Sequence, residues 1–524
     1  MLETSVGKVL DKAFKKYRDQ VAFKVGGREF RYKELELSVN KLANGFLSLG
    51  LGKGHRIVIM TTNRMEYLYA DFAAAKVGLV KVPLNVMLTQ TDIDYRIKDS
   101  EARVVIMDEF FYNKVGLFFK GYSFIKNIIC ITDQEEILSK GVISFYRLLK
   151  DSPSANPEVD VDPGDLNAIM YTGGTTGLPK GVMLTDKAYL SIVYSMLVEL
   201  EVNEGEVMLQ TAPLPHASGF MIPPCLLRGG KVIVTNGFDP EEVFRLVQEE
   251  KVTWTFMVPT MIYTMLDHPK RKKYDLSSLK TIAYGAAPIA PRRLEEAMRE
   301  MGPIFLQAYS QMEVATQTTT FTKRQHVEAL EKGKKERLRS CGMPIIMSQV
   351  KIVDDNNKEV GMGVVGELIT KGPHMMKGYW RKEKETKSTI VDGWIHTGDL
   401  AYVDEDGYIY LVDRKHDMII SGGMNVYSSE VENVLSQHPA VAEVIVIGVP
   451  DEKWGEAVTG IVVKAPGKEV TDAQLLEYCR DKMSAYKRPK RIEFYDSIPR
   501  TVYGKFDKKA VKKKYWEGQD RMIY

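Results

Sequence analysis

Tyr171-Thr-Gly-Gly-Thr-Thr-Gly-Leu-Pro-Lys-Gly-Val182 packs four glycines, three threonines and a lysine into twelve residues, directly after the apolar run Ala168–Met170. Glycines let a backbone come close to an anion, and the N–H groups so exposed form a concave anion-binding nest. Threonine hydroxyls add donors and Lys180 adds charge, so the stretch reads as a phosphate cradle at the end of a buried strand. It is not the Walker pattern, because Gly177 is followed by Leu178-Pro179. A plain turn-rich loop would account for the glycines but not for the Thr-Thr-Gly and Pro-Lys-Gly order.

Outward from this loop the chain alternates short apolar runs with longer helical stretches. Val6, Val9, Leu10, Ala13, Phe14 and Tyr17 recur at helical spacing, as do Leu35, Val39, Leu42, Phe46 and Leu49, and then Leu68, Phe72 and Ala75. Between and after them lie Arg56–Met60, Leu79–Leu84, Arg103–Met107, Lys231–Val234, Trp254–Val258 and Leu279–Tyr284. These runs lack alternation, as expected of strands covered on both faces. The pattern predicts an α/β fold: helix-covered, mostly parallel sheets plus a small β subdomain in a large N-terminal domain, residues 1–414. A smaller α+β domain is expected over residues 415–524. There a helix carries Val431 and Leu435, strands run over Ala442–Gly448 and Ala457–Val463, and Thr471 with Gln474 forms a capping box before Leu475, Cys479 and Met483. The basic stretch Lys323–Arg339 reads as a solvated surface loop, and Lys508, Lys509 and Lys512 to Lys514 as a solvated helix face.

Bulk properties exclude several classes. The 524 residues are 44% hydrophobic and 27% charged, and 72 basic against 69 acidic side chains leave a formal net charge of +3. That balance argues against a nucleic-acid partner. The four cysteines, Cys130, Cys225, Cys341 and Cys479, form no CxxC pair and suit a reducing compartment. MLETSVGKVLDKAF has no basic stretch followed by an apolar run, and no segment reaches the ~20 apolar residues that span a bilayer. The expected location is cytoplasmic; peripheral membrane contact and a homodimer stay open.

The glycine-threonine loop is similar to the signature loop of the adenylate-forming superfamily: acyl-CoA synthetases, firefly luciferases and the adenylation domains of peptide synthetases. The resemblance runs nearly the whole chain, with further motifs in the family's order. It assigns Thr172, Gly173, Gly174, Thr175, Thr176, Gly177 and Lys180 to the ATP phosphates; Gly173 stands where a serine is common. Pro213-Leu-Pro-His216-Ala-Ser-Gly219 resembles the motif whose side chain lies beside the acid's carboxylate, which places His216 and Gly219 in the acyl pocket. Tyr284-Gly285-Ala286-Ala287-Pro288 resembles the loop that packs on adenine. Gln307-Ala-Tyr309-Ser310-Gln311-Met312-Glu313 resembles the motif whose glutamate holds Mg2+, with Thr172 as a further ligand. Here Ser310 replaces glycine, and Met312 replaces a threonine whose hydroxyl contacts the α-phosphate. Methionine cannot donate that bond, which to a charged group is worth about 1.5–3 kcal/mol.

Asp392-Gly-Trp-Ile-His-Thr-Gly-Asp399-Leu400 matches the motif whose aspartate accepts bonds from the ribose hydroxyls, and Arg414 the arginine that contacts ribose or phosphate. Lys377-Gly-Tyr-Trp380 and Gly366-Glu367 match motifs read as structural. The pivot between lobes falls on His416, where Asp or Lys is usual. Ser421-Gly422-Gly423 resembles the loop that serves thioester formation, and Pro499-Arg-Thr-Val-Tyr-Gly-Lys505 the terminal motif with the catalytic lysine. The resemblance thus implies an acid–thiol ligase that uses ATP, Mg2+ and coenzyme A, with Lys505, Glu313 and His216 as its catalytic side chains. A tryptophan at the position of Ser310 closes the pocket in acetate-type relatives, so the small Ser310 implies a longer acid, medium- or long-chain. Branched or aromatic acids, a carrier-protein acceptor in place of coenzyme A, and a nucleotide-binding pseudoenzyme are the alternatives.

Overall fold

The computed structural model describes residues 4–116, 118–172, 178–415, 417–501 and 505–517. Gly173, Gly174, Thr175, Thr176, Gly177 and His416 lie outside the described residues, as does the side chain of His216. The chain forms two compact units: Met1–Val350 with Thr370–Ile395, and Lys351–Ile369 with His396–Tyr524.

The first unit holds two sheets. In one, Ile143–Ser144, Asn127–Ile131, Val104–Asp108, Arg56–Met60, Val80–Pro83 and Leu166–Thr172 lie side by side and parallel, and Lys180–Thr185 and Gly378–Tyr379 add antiparallel strands at the end. In the other, Val21–Val25, Lys231–Val234, Val207–Gln210, Trp254–Met257, Thr281–Gly285 and Phe305–Tyr309 are parallel neighbours, with antiparallel strands at both edges. The parallel, doubly covered sheets expected from the unalternating apolar runs are therefore present.

Helices fill the core with the faces their spacing predicts. Val6–Lys16 buries Val6, Val9, Leu10, Ala13 and Phe14, and Ser5 caps its first turn. Tyr32–Ser48 buries Leu35, Val39, Leu42 and Phe46. These side chains join strand residues such as Ile57, Val104, Met208 and Val232 in one apolar cluster. Buried Asp186 accepts the Val6 N–H at 2.6 Å and the Asn167 amide at 2.8 Å, tying the first helix to the strand that leads to the glycine-threonine loop.

The expected loop over Lys323–Arg339 is corrected. Lys323–Glu331 is an α-helix with a Thr322/Gln325 capping box, and His326 and Ala329 are buried. Lys335–Arg339 is a 3-10 turn that buries Leu338. Charged side chains outnumber apolar ones on this helix, which masks a narrow buried face.

In the second unit, Trp394–Val403 pairs antiparallel with Ile409–Arg414. Beyond them a sheet orders Met424–Val426, Ile419–Ser421, Gly455–Lys464 and Val441–Asp451, with Arg491–Phe494 parallel to Gly455–Lys464. Val444, Val446, Val458 and Val462 face Val431, Leu435, Leu475 and Cys479 of two helices. Ile445, Ile447, Val449 and Ile461 face Val511 of the helix Lys508–Trp516 on the opposite side. Alternate residues point to opposite faces, so a strand covered twice is apolar throughout. Among the described residues, no helix is long and apolar enough to cross a membrane.

Candidate active site

Two antiparallel strands flank the signature loop. Leu166–Thr172 and Lys180–Thr185 are its arms, and Thr172 stands opposite Lys180. Two tyrosines pin this strand pair to the helix Gln90–Ser100: Tyr171 donates to Asp99 at 2.6 Å, and Tyr95 donates to the Pro179 carbonyl at 3.1 Å. Gly378–Tyr379 pairs with Met183 and Val182 of the second arm.

That third strand brings Lys180 and Glu313 to one ring. The Tyr379 phenol donates to Glu313 Oε1 at 2.8 Å, and Lys180 Nζ lies over the Tyr379 ring, 4.8 Å from its centre. The Met376 N–H holds the Glu313 backbone carbonyl at 2.8 Å. Burial, and then the adjacent Glu313 carboxylate, push the Tyr379 hydroxyl well above its ordinary pKa of 10.0, so it stays a donor. The sequence reading takes Lys377-Gly-Tyr-Trp380 as structural and passes over Tyr379; its only signal is an aromatic residue inside a motif.

The adenine-loop residues sit at the carboxyl ends of two adjacent parallel strands, Thr281–Gly285 and Phe305–Tyr309, where open α/β sheets bind ligands. Gly285 lies against the Ala308 carbonyl so closely that a Cβ there would collide with it. Ala286 has φ +67°, a left-handed conformation that costs a non-glycine residue about 1–2 kcal/mol, and Ala286, Ala287 and Pro288 are exposed. Strain held at the predicted adenine loop marks a backbone shaped for something other than packing. Gln307 Oε1 accepts from Tyr284 at 3.3 Å, and the same phenol meets His326 Nε2 at 2.8 Å. Through buried His326 the helix of the corrected segment thus packs against the strand that ends at Gly285.

After Tyr309 the chain turns through Ser310, whose hydroxyl bonds the Gln311 carbonyl at 2.9 Å. Met312 is half-buried against the core, so its thioether fills apolar space where a hydroxyl is usual. Ala315 and Thr316 both have positive φ, and Thr316 Oγ1, Gln317 Oε1 and Thr318 Oγ1 are buried without a partner. His216 lies in the turn Leu214–Ser218 after the strand Val207–Gln210, and Gly219 opens the next helix. Asn63, which the sequence reading does not single out, holds this turn. It accepts the Leu214 N–H at 2.9 Å and donates to the Ala212 and Thr235 carbonyls at 3.0 Å each.

The second unit carries the other group. Asp399 is 9% exposed and stands opposite Arg414 in the strand pair, with Arg414 Nε 3.6 Å from its carboxylate. Glu367 orients this strand: it accepts the Gly398 N–H at 3.0 Å and meets His396 at 3.3 Å and Lys415 at 3.4 Å. Lys505 is held through its backbone: its carbonyl accepts the Thr501 N–H at 2.7 Å, and the Asp507 N–H donates to the Pro499 carbonyl at 2.8 Å. Its side chain keeps an exposed surface, yet the protein around the ammonium and then the Arg414 guanidinium push its pKa below the ordinary 10.5, against the pull of Asp399. Gly422 and Gly423, at φ +59° and +76°, form the two-residue turn after buried Ser421, a conformation that disfavours side chains at both positions.

The expected solvated lysine face holds for Lys509, Lys513 and Lys514, which are exposed, and is corrected for Lys508 and Lys512. Lys508 pairs with Glu432 at 2.7 Å and with the Ser428 hydroxyl at 2.7 Å, and Lys512 pairs with Asp417 at 3.3 Å. Among the described residues, no cluster of three or more His, Cys, Asp or Glu could hold a metal ion by itself. A lone carboxylate such as Glu313 suits Mg2+, which binds one or two carboxylates plus phosphate oxygens and water.

The family model described as AMP-binding enzyme matches residues 10–380, and that of the AMP-binding enzyme C-terminal domain matches residues 430–505. A medium/long-chain-fatty-acid–CoA ligase, FadD8 of Mycobacterium tuberculosis, is 36% identical over 99% of this chain and 92% of its own. A feruloyl-CoA synthase of an Amycolatopsis species is 37% identical over 94% of this chain and 96% of its own. The solved structure of ATP-bound MatB from Rhodopseudomonas palustris superposes with a TM-score of 0.88 at 27% identity, covering 98% of this chain and 99% of that one. With family models matched along most of its length and its relatives CoA ligases, the chain belongs to the AMP-binding, adenylate-forming enzyme family and is an AMP-forming acyl-CoA synthetase.

Proposed function

We propose that the acid is a medium- or long-chain fatty acid and that its activation follows from the two groups of residues described above. The single observation that carries the substrate reading is Ser310. It is small, so it does not close the pocket by bulk, and its hydroxyl donates to the Gln311 carbonyl. The 36% identity to a fatty-acid–CoA ligase supports the same reading.

In the first step a carboxylate oxygen attacks the α-phosphorus of ATP and pyrophosphate leaves. Two anions must approach, so positioning and charge neutralisation are what the protein supplies. Thr172, Lys180 and the loop between them hold the phosphates, Gly285–Pro288 the adenine, and Asp399 with Arg414 the ribose. Glu313, oriented by Tyr379, and Thr172 would hold Mg2+, which supplies further positive charge at the phosphate oxygens. Lys505 bridges the carboxylate and α-phosphate oxygens, and His216 lies beside the acid. In the second step the thiol of coenzyme A displaces AMP from the acyl carbon. The segment 415–524 turns about His416, Lys505 withdraws, and Ser421–Gly423 lines the thiol's path.

A second reading is an aromatic acid, as in the feruloyl-CoA synthase relative. It is favoured by the 37% identity to that relative over 94% of this chain. Pyrophosphate release with ATP, Mg2+ and a panel of acids, with and without coenzyme A, tests both. Fastest turnover of C8–C18 acids supports the first reading, and preference for hydroxycinnamic acids replaces it with the second. Release without thioester would point to another acceptor, and silence across the panel to a nucleotide-binding pseudoenzyme.

A further inference from the structure

The strand Ile409–Arg414 ends with neighbouring side chains in two different settings. Arg414 stands beside Asp399, and Asp413 accepts the Ser428 N–H. Next to that bond, Ser429 Oγ donates to the Val412 carbonyl. Lys508 completes the cluster. Its ammonium donates to Ser428 Oγ at 2.7 Å and lies 2.7 Å from Glu432 Oε1, and its side chain is 18% exposed. Glu432 is itself fixed by the Val446 N–H at 2.7 Å. Burial disfavours the Lys508 charge, but Glu432, Asp413 and Asp417 outweigh it and hold its pKa above the ordinary lysine range. One helical turn on, Lys512 pairs with Asp417.

Lys508 is also three residues beyond Lys505, in the first turn of a helix that Asp507 caps through the Ala510 N–H at 3.0 Å. Lys505, Phe506 and Asp507 lead directly into this turn. A lysine fixed to Ser428 and Glu432, with the Asp413 carboxylate beside it, therefore restrains where Lys505 can stand relative to Asp399 and Arg414. Two of these links join residues before position 416 to residues after it, Asp413 to Ser428 and Val412 to Ser429, and Lys508 reaches that junction through the Ser428 hydroxyl.

We propose that Lys508 is a positioning residue for adenylation, a latch that ties the helix following Lys505 to Asp413 and has to open before the thioester step. The proposal rests on the reading of Lys505 as the adenylation lysine. The latch is polar, so it can hold one arrangement and exchange its bonds for water when the smaller lobe turns. An apolar contact of the same size would lack that directionality.

The test separates the half-reactions in the full-length enzyme. Lys508→Met keeps the side-chain volume and removes the charge. It should lower kcat for acyl-adenylate formation about tenfold or more, the scale of losing one charge-assisted contact, with KM for ATP and acid little changed. Thioester formation from supplied acyl-adenylate should be unchanged or faster. Lys508→Arg should recover most of the adenylation rate. Asp413→Asn should give the same split more weakly, and its effect should not add to that of Lys508→Met. Equal loss in both half-reactions tracking a lower Tm, or no loss in either, overturns the latch. If Lys508→Met fails to fold, Asp413→Asn decides alone, by the presence or absence of the split. Lys505→Ala runs in parallel. If adenylation survives in that variant, the reading of Lys505 falls and the latch with it; if adenylation is abolished but the Lys508 and Asp413 variants show no split, only the latch falls.

Discussion

Replacing Tyr379 by phenylalanine removes one oxygen and leaves the ring. The lost bond is the 2.8 Å donation to Glu313 Oε1, and the retained contact is Lys180 over the ring face at 4.8 Å. A hydrogen bond to a charged group contributes about 1.5–3 kcal/mol. Glu313 is half-buried, so water can partly replace the phenol, and the lower end applies. At about 1.4 kcal/mol per tenfold, the adenylation step should slow about tenfold. The loss should be larger at low Mg2+ and smaller at saturation, because a less constrained carboxylate binds the ion less well. Tyr379→Leu should cost a further several-fold, since a cation over an aromatic face is worth about 0.5–2 kcal/mol. The assay is initial pyrophosphate release against Mg2+ concentration, with Tm as a folding control. Wild-type rates in Tyr379→Phe at every Mg2+ concentration would refute the claim that Tyr379 orients Glu313. Equal defects in the Phe and Leu variants would refute the division between the hydroxyl and the ring.

Other outcomes follow from the same geometry. Because the Lys505 pKa lies below 10.5, its charge is lost earlier as pH rises; the alkaline limb of adenylation kcat/KM should fall below pH 10.5 and move upward in Lys505→Arg. Gly285→Ala would drive a Cβ into the Ala308 carbonyl and cost about 1–3 kcal/mol, read as a lower Tm together with a raised KM for ATP. Burial lowers His326 and His374 from 6.5 to about 4. Their neutral forms favour the folded state above pH 6.5, and that contribution, about 3 kcal/mol each, disappears as pH falls toward 4. Denaturation of the wild type should weaken over that window, and His374→Asn should flatten the dependence; parallel curves would contradict it.

The parallel sheets were legible in the sequence because their strands are buried on both faces and so lack alternation. The second unit's core was legible for the same reason: Val441–Asp451 packs Val444 and Val446 against two helices and Ile445, Ile447 and Val449 against a third. The segment Lys323–Arg339 was misread because periodicity fails as a signal when only His326 and Ala329 of a nine-residue helix are buried. The Thr322/Gln325 capping box was the available clue. Lys508 and Lys512 resemble any solvated lysines until the fold brings up Glu432 and Asp417, about eighty and ninety residues earlier in the chain. Tyr379, Glu367 and Asn63 each orient a motif residue from a distant part of the sequence, and no local spacing announces that work. By contrast the strain at Ala286 and the paired left-handed glycines Gly422 and Gly423 fall where the motifs place the adenine and thioester loops.

In the proposed mechanism Lys505 serves the first half-reaction and not the second. The direct measurement is Lys505→Ala assayed twice: pyrophosphate exchange into ATP in the presence of the acid, and thioester formation from synthetic acyl-adenylate with coenzyme A. Exchange should fall about a thousandfold, equivalent to about 4 kcal/mol of transition-state stabilisation, while thioester formation stays within about threefold of the wild type. A proportionate loss of both, or an unimpaired exchange reaction, would contradict it.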